Sequence, residues 1–551
     1  MRWIAKPIVS VVVAVLAYQI TLRYLKDTYK SHDPQFAIER TFLESWIDYR
    51  SNGWGLDVYG PISKKGRNMG KSGDPLGWII IDSVDTMMLM HNKTKDDTHR
   101  KHFAEEINIA ESWIKNTLDY NVDSEVNLFE TTIRMLGGLL SSYYCSETYH
   151  IGNSTVYLEK AIDLADRLVP SFLQSETGIP YSSINLASGK AIKNHADNGA
   201  SSTAEFTTLQ MELKYLSYIT GNTTYWKLCE KVYDPLYRNN NLVGRHYQGL
   251  IPIFTNPDTG IFQGSIIRFG SRGDSFYEYL LKQNLLTGEA LYRKLYDFSM
   301  TSMKRHLLGE SKGQLHLKYI GEKDYGLAGP TSSKFDHLVC FMGGLLAMGA
   351  TNGKPYSEAV NGPDWSPAKQ NDWELAEDLT KSCYEMYHQI PSGLSPEIVV
   401  FNSNYPNAEP NWWRSESEDY FVKPFDKHNI QRPETVESLM FLYHLSGNEQ
   451  YRHWGWEILS NFIKHTKVIK VAADGEEKIA YTSLHNVISL PTDKADNLES
   501  FWLAETLKYL YLLFDDDIEL SKIVFNTEAH PFPVFNQSRL NELNLTTGWK
   551  L

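Results

Sequence analysis

Seven polar residues in this chain are placed where helices should begin: Asp85, Glu130, Glu205, Asp274, His337, Glu434 and Glu505. Five of them, Glu130, Glu205, Asp274, His337 and Glu434, precede the turn glycines Gly152, Gly221, Gly288, Gly353 and Gly447 by 13 to 22 residues. Capping and the helix dipole alone put acids at helix starts. The contexts Phe129-Glu130-Thr131, Pro433-Glu434-Thr435 and Ala504-Glu505-Thr506 go further, because they set carboxylates against apolar or conformationally fixed neighbours. Burying a carboxylate there costs several kcal/mol unless arginine, metal or substrate compensates. Arg134, Arg272 and Arg432 lie close by in sequence. No H-E-x-x-H or G-x-S-x-G occurs, so neither a zinc site of that type nor a serine elbow competes. Convergent carboxylates with arginines fit acid–base hydrolysis, and glycoside cleavage leads.

Such residues converge only if repeated elements carry them. Ser202 and Glu205 make a capping box, and Phe206, Leu209, Leu213 and Leu216 follow at helical spacing. With Gly221 as left-handed stop, this predicts one helix from Ser202 to Asn222. The stop recurs as Thr220-Gly-Asn-Thr-Thr-Tyr225, Thr287-Gly-Glu-Ala-Leu-Tyr292 and Ser446-Gly-Asn-Glu-Gln-Tyr451. A step of roughly 67 residues suits two helices plus loops and gives about seven hairpins. Gly-Gly-Leu-Leu cores at Gly137–Leu140 and Gly343–Leu346 allow close helix packing. Such units could build an open solenoid or a closed ring; the predicted fold is all-α, the ring, a toroid in which one helix set encloses another.

The 551 residues are 42% hydrophobic and 22% charged, the balance of a folded protein, and the net charge of −13 argues against nucleic acid as partner. Arg2 and Lys6 precede an apolar run over 7–22, closed by Arg23 and Lys26. Sixteen helical residues span ~24 Å, short for a ~30 Å bilayer core unless basic flanks snorkel. Val15-Leu16-Ala17 also reads as a signal-peptidase site; of the two readings the run is taken as an uncleaved signal anchor, with 1–6 cytosolic, 23–35 a lumenal stem, 36–535 the catalytic body and 536–551 a tail. Sequons at Asn92, Asn153, Asn222, Asn536 and Asn544 favour a lumenal body. Of four cysteines, Cys340 and Cys383 are the better pair, each in a helix-like segment of neighbouring units, whereas Cys145 and Cys229 read as buried thiols.

Several segments together resemble the class I α-1,2-mannosidases, glycoside hydrolase family 47. They are Gly77–Met90, Phe129–Gly138, Gly178–Tyr181, Gly273–Leu281, Asp336–Cys340, Gly393–Glu397, Arg432–Ser438 and Val524–Pro531. The resemblance implies an (α/α)7 barrel that trims high-mannose N-glycans in the endoplasmic reticulum, as a single-pass type II membrane protein. It implies Ca²⁺ held by the hydroxyl and carbonyl of Thr527, a residue that reads otherwise as a plain loop threonine. Carried over, the catalytic carboxylates are Glu130, Asp274, Glu397 and Glu434, with Glu130 the general acid and Glu434 the base. Arg134, Arg272, His337, Arg432, Glu437, Phe501, Glu505 and Glu528 should line the sugar and metal site. The family inverts, which requires acid and base to stand ~6.5–9.5 Å apart. In members with Golgi-type specificity the position of Arg272 is apolar. The rival reading is an ER degradation-enhancing, mannosidase-like glycan-binding factor. The Cys340/Cys383 pair and the lack of a long C-terminal extension oppose it.

Overall fold

The computed structural model describes residues 33–71, 73–471, 475 and 477–551, so the predicted anchor lies outside the described residues. No helix among the described residues is long and apolar enough to cross a membrane.

Outer helices open on the expected signals. Asp33 accepts from the Gln35 amide ahead of Pro34, Asp96 accepts from Thr98 and His99, and Ser366 accepts from Lys369 ahead of Pro367. Among the described residues, seven outer segments start at Pro34, Asp97, Ser154, Thr224, Ala290, Pro367 and Gln450. Each alternates with an inner one, starting at Trp78, Leu128, Thr203, Asp274, His337, Glu434 and Trp502. Inner segments touch their neighbours in order, and the last returns to the first, so the ring closes. The helix Met342–Thr351 is buried along its whole length, as a segment packed on every side must be. Gly343 and Gly344 permit this: a Cβ there would stand 2.1 Å from Thr380 Oγ1 or 2.7 Å from Phe441 Cδ2.

Two local expectations need correction. The predicted helix from Ser202 is broken into Thr203–Phe206 and Gln210–Thr220, and Ser202 makes no side-chain cap. Thr207 and Thr208 donate their hydroxyls back to the Thr203 and Ala204 carbonyls, which competes with helix continuation. The left-handed stops also shift. Gly221, Gly288 and Gly447 end their helices, but His150 and Asn352 take that conformation one or two residues before Gly152 and Gly353.

One end of the ring is filled by a hairpin pairing Ile523–Phe525 with Pro531–Pro533. Asn526 at its turn donates to the Ile133 carbonyl and Glu212 and accepts from the Glu528 and His530 amides. Every polar group of that side chain is used, which fixes the turn between inner helices. Residues 536–551 pack on the outer wall, where Trp549 stacks on Tyr233 at 5.4 Å and Gly548 donates to Glu230.

Cys340 and Cys383 are disulfide-bonded, and Cys145 and Cys229 are free and buried. The five sequon asparagines are all exposed. The bond joins residues 43 apart, and closing such a loop is worth about 4 kcal/mol in the chain-entropy model. A Cys340→Ala/Cys383→Ala double variant is expected to unfold at lower denaturant with a steeper slope, since the freed unfolded chain exposes more surface. An unchanged midpoint would mean that the bond does not constrain the unfolded chain.

Candidate active site

The inner segments begin at the end of the barrel opposite the hairpin strands, and their first residues wall a cleft of about 270 Å³. That is the scale of one sugar ring plus a few waters rather than a long groove. The hairpin turn reaches up from below and supplies Thr527 and Glu528 to the lining. Eight carboxyl groups face this space against three guanidinium groups, Arg134, Arg272 and Arg432.

Glu434 is the first residue of its helix and its side chain is 11% exposed. His337 Nδ1 lies 2.7 Å from its Oε2, and Arg432 Nη1 lies 3.8 Å from Oε1. A carboxylate only accepts, so Nδ1 carries the hydrogen, leaving Nε2 to accept from the Tyr387 hydroxyl at 2.8 Å. Burial pushes the Glu434 carboxyl up, but the hydrogen bond from His337, with the charge of Arg432, outweighs it and holds the group below the usual range. Asp274 has the opposite fate. Burial, with Glu278, Asp336 and Glu434 nearby, overrides the Ser275 amide and pushes it up to about 8.

Glu130 is capped by Asn127, whose Oδ1 accepts from the Glu130 amide at 2.8 Å. Its carboxylate takes the Arg134 Nε–H at 2.9 Å, while Arg134 Nη1 donates to Glu528 at 2.7 Å. Beyond Glu130 the helix loosens into a π-helical stretch over Thr131–Leu136, and a second stretch, Trp502–Thr506, contains Glu505. Such turns recur at functional sites because they re-aim side chains out of the regular ladder. Phe501 lies between two cations, 5.6 Å from both the Arg134 and Arg432 guanidinium carbons.

Around Thr527 the surplus of acid is greatest. Its hydroxyl donates to Glu278 at 2.8 Å, and Glu278 pairs with Lys282. Burial raises Glu437 to about 8 against the opposing Lys282, and Glu528 to about 7 against the opposing Arg134. Burial, with Glu528 beside it, holds Glu505 well above its ordinary value. Oxygen donors alone, with more carboxylate than the neighbouring cations balance, fit a hard divalent cation. No group of three or more His, Cys, Asp or Glu converges in ligand geometry among the described residues. A cation here would therefore lean on Thr527 and water.

Most residues picked from the sequence line the cleft: Glu130, Arg134, Arg272, Asp274, Arg432, Glu434, Glu437, Phe501, Glu505, Thr527 and Glu528. Two others reach the cleft through a neighbour. His337 is 2% exposed and acts on Glu434, so it is placed to position rather than to touch sugar. Glu397 accepts from Arg432 Nε at 2.6 Å, beside the cleft, with its side chain 13% exposed. Asp85 does not converge with the others; it is fully buried between Lys508 and His530, each 2.8 Å away. Glu278 was missed, although it lies four residues after Asp274 on the same helix face and that spacing was visible.

The glycosyl hydrolase family 47 model matches residues 41–534. The chain is 59% identical to the endoplasmic reticulum mannosyl-oligosaccharide 1,2-alpha-mannosidase of Saccharomyces cerevisiae, over 93% of this chain and 92% of that protein. It is 51% identical to a mannosyl-oligosaccharide 1,2-alpha-mannosidase of Candida albicans, over 94% and 85%. An alpha-1,2-mannosidase structure from Trichoderma reesei superposes with a TM-score of 0.76 at 26% identity, covering 91% of this chain and 99% of that one. The matched span takes in every wall of the cleft and the hairpin turn beneath it, and on that ground the chain belongs to glycosyl hydrolase family 47.

Proposed function

We propose that the chain is an inverting exo-α-1,2-mannosidase that removes a terminal mannose from Man9GlcNAc2 to leave a Man8GlcNAc2 isomer. Its setting is N-glycan maturation and quality control in the endoplasmic reticulum, the compartment named for several relatives. The observation that carries the reading is a carboxylate, Glu434, kept ionised by His337 and Arg432 in the same closed cleft as Glu130 on Arg134. Glu434 takes a proton from water as that water attacks the anomeric carbon. Glu130, directly or through a water, gives a proton to the departing oxygen. The C–O bond breaks as the new one forms on the opposite face, so the products are β-mannose and a free hydroxyl on the shortened glycan. Asp274, up at about 8, holds a proton at neutral pH and can donate a hydrogen bond to sugar or water. Phe501 offers an apolar face to the ring, and Arg134 and Arg432 offer hydroxyl partners. Calcium would be held by the Thr527 hydroxyl and carbonyl and would bind sugar hydroxyls in a fixed orientation. The N-terminal run over 7–22 would tether the body to the membrane.

Proton NMR of mannose released from Man9GlcNAc2, read before mutarotation, tests the reaction. The β anomer is expected; an initial α anomer would mean a covalent, retaining route.

Arg272 is the reading's selectivity element. It has positive φ, 71°, its Nη1 donates to Asp197 at 2.8 Å, and its guanidinium lies 4.9 Å from the Phe254 ring. That pins an exposed fork, with donors to spare, at the cleft. Arg272→Leu is expected to lose ~1–3 kcal/mol of contacts to the preferred branch and to admit others. An isomer-resolved time course should show wild type pausing at one Man8 isomer and the variant running on. Identical stops at identical rates would place selectivity elsewhere.

A further inference from the structure

The Gly137-Gly138 pair lies against an imidazole. A Cβ on Gly137 would stand 2.7 Å from Asn526 Nδ2 and 3.1 Å from His530 Cδ2; one on Gly138 would stand 2.8 Å from the Ile81 carbonyl and 3.3 Å from His530 Cε1. The two glycines clear the slot in which the His530 ring sits. That ring has no exposed surface, yet it is gripped by two acids: Nδ1 is 2.8 Å from Asp85 Oδ2 and Nε2 is 3.0 Å from Asp82 Oδ1. Carboxylates only accept, so both ring nitrogens carry hydrogen and the ring is an imidazolium. Asp85 is tied back by Lys508 at 2.8 Å and Ser141 at 2.7 Å. Asp82 accepts the Ser500 hydroxyl on its other oxygen, which stands 3.6 Å from Arg134 Nη1.

We infer that His530, acting through Asp82, is a positioning residue that fixes Arg134 and so aims the Glu130 carboxylate. The inference rests on Glu130 being the acid, as proposed above. Arg134 faces three carboxylates, Asp82, Glu130 and Glu528, at 3.6, 2.9 and 2.7 Å. One guanidinium cannot serve three free anions equally, and its orientation follows the balance among them. The imidazolium neutralises Asp82, and His530 and Ser500 occupy its oxygens. Asp82 is thereby held as the distant partner, leaving Nε for Glu130. Without that restraint, a buried and unpaired Asp82 draws Arg134 towards itself and off Glu130. Aim matters because proton transfer needs hydrogen-bond geometry to the departing oxygen.

Two isosteres of the ring separate positioning from packing. The amide nitrogen of Gln reaches the Nε2 position and keeps the donor to Asp82, whereas that of Asn reaches the Nδ1 position and keeps only the donor to Asp85. The full chain with calcium is assayed on Man9GlcNAc2 for kcat and KM, with Tm alongside. His530→Asn is expected to lower kcat ~10–100-fold, the scale of outer-shell losses, with KM changed less than about 3-fold. His530→Gln is expected to stay within about 5-fold of wild type in kcat. Equal losses in the two variants, tracking Tm, overturn the inference in favour of plain packing. In a Glu130→Gln background, adding His530→Asn is expected to cost nothing further, and fully additive losses overturn it. Wild-type turnover by Glu130→Gln alone would instead remove the acid assignment and the inference with it, a result distinct from the Asn/Gln comparison. If the His530 variants do not fold, Ser500→Ala carries the test: a several-fold fall in kcat at unchanged KM is expected, and unchanged kcat overturns it.

Discussion

Glu434→Gln lowers kcat at least ~10²-fold, about 2.7 kcal/mol of barrier, while the protein still folds and still binds glycan. The amide matches the carboxylate in size, so the helix beginning at Glu434 keeps its packing and Arg432 keeps Glu397 at 2.6 Å. What the amide lacks is basicity. In wild type the carboxyl is held below its ordinary value, chiefly by His337 against the penalty of burial. Its sign follows: the group stays ionised through neutral pH, and activity limited by it is lost only as pH falls below the ordinary carboxylate range. A weaker base is the cost of that pairing, and the offset is that the base is always in the right state and held by a side chain 2% exposed. Single-turnover rates and glycan affinity for both proteins decide the matter. Near-normal turnover in the variant would move the base to another carboxylate. Weaker binding at unchanged chemistry would make Glu434 a sugar ligand only.

Much of this arrangement was legible in the chain. The glycine stops and the polar residues ahead of them located Glu130, Asp274 and Glu434, because a helix start is a local feature with local signals. Capping, dipole and stop all act within a turn or two. Closure of the ring was less legible: a helical-hairpin repeat can build an open solenoid as well as a ring, and what closes it here is contact between the first and last inner segments, far apart in sequence. Long-range placement was not legible. Asp85 looked like the other acids, yet its partners Lys508 and His530 lie more than 400 residues away in sequence and turn it into a buried structural ion. His337 was found, but not that Glu434 stands between it and the cleft, since that contact joins residues 97 apart in sequence. The break at Thr207–Leu209 was missed because two threonine hydroxyls, not a proline or glycine, make it. Thr527 was reachable only through family resemblance. Its turn is irregular, with Ala529 at φ 59°, and no periodic pattern marks it.

Removing calcium is expected to abolish turnover and to make stability fall as pH rises. With the metal chelated, the carboxyl groups around the hairpin turn must be buried together with too few cations. Asp274 and Glu437 sit at about 8 and Glu528 at about 7, each driven there first by burial. A carboxyl raised in the folded state binds its proton more tightly folded than unfolded, so its contribution is greatest at low pH and is lost as pH rises through the folded value. Between pH 6.5 and 8.5 the chelated protein therefore becomes steadily less stable. The window starts at 6.5 because His91, His306, His444 and His465 are held below their ordinary value by burial and give the opposite slope beneath it. A bound calcium would supply the missing positive charge, remove the reason for those groups to hold protons and flatten the slope. A cation that binds only the folded chain also adds ~3–4 kcal/mol at 10²–10³ times its Kd, so the gap between the two proteins widens towards alkaline pH. Thermal scans at half-unit steps, with excess calcium or excess chelator, measure both effects, and a Man9GlcNAc2 assay on the same samples measures turnover. Coincident curves, or full turnover in excess chelator after exhaustive dialysis, would show that Thr527 holds no metal. A chelated protein whose midpoint rises with pH across the window would show that these carboxyl groups are ionised already and that the excess charge is balanced by something other than a cation.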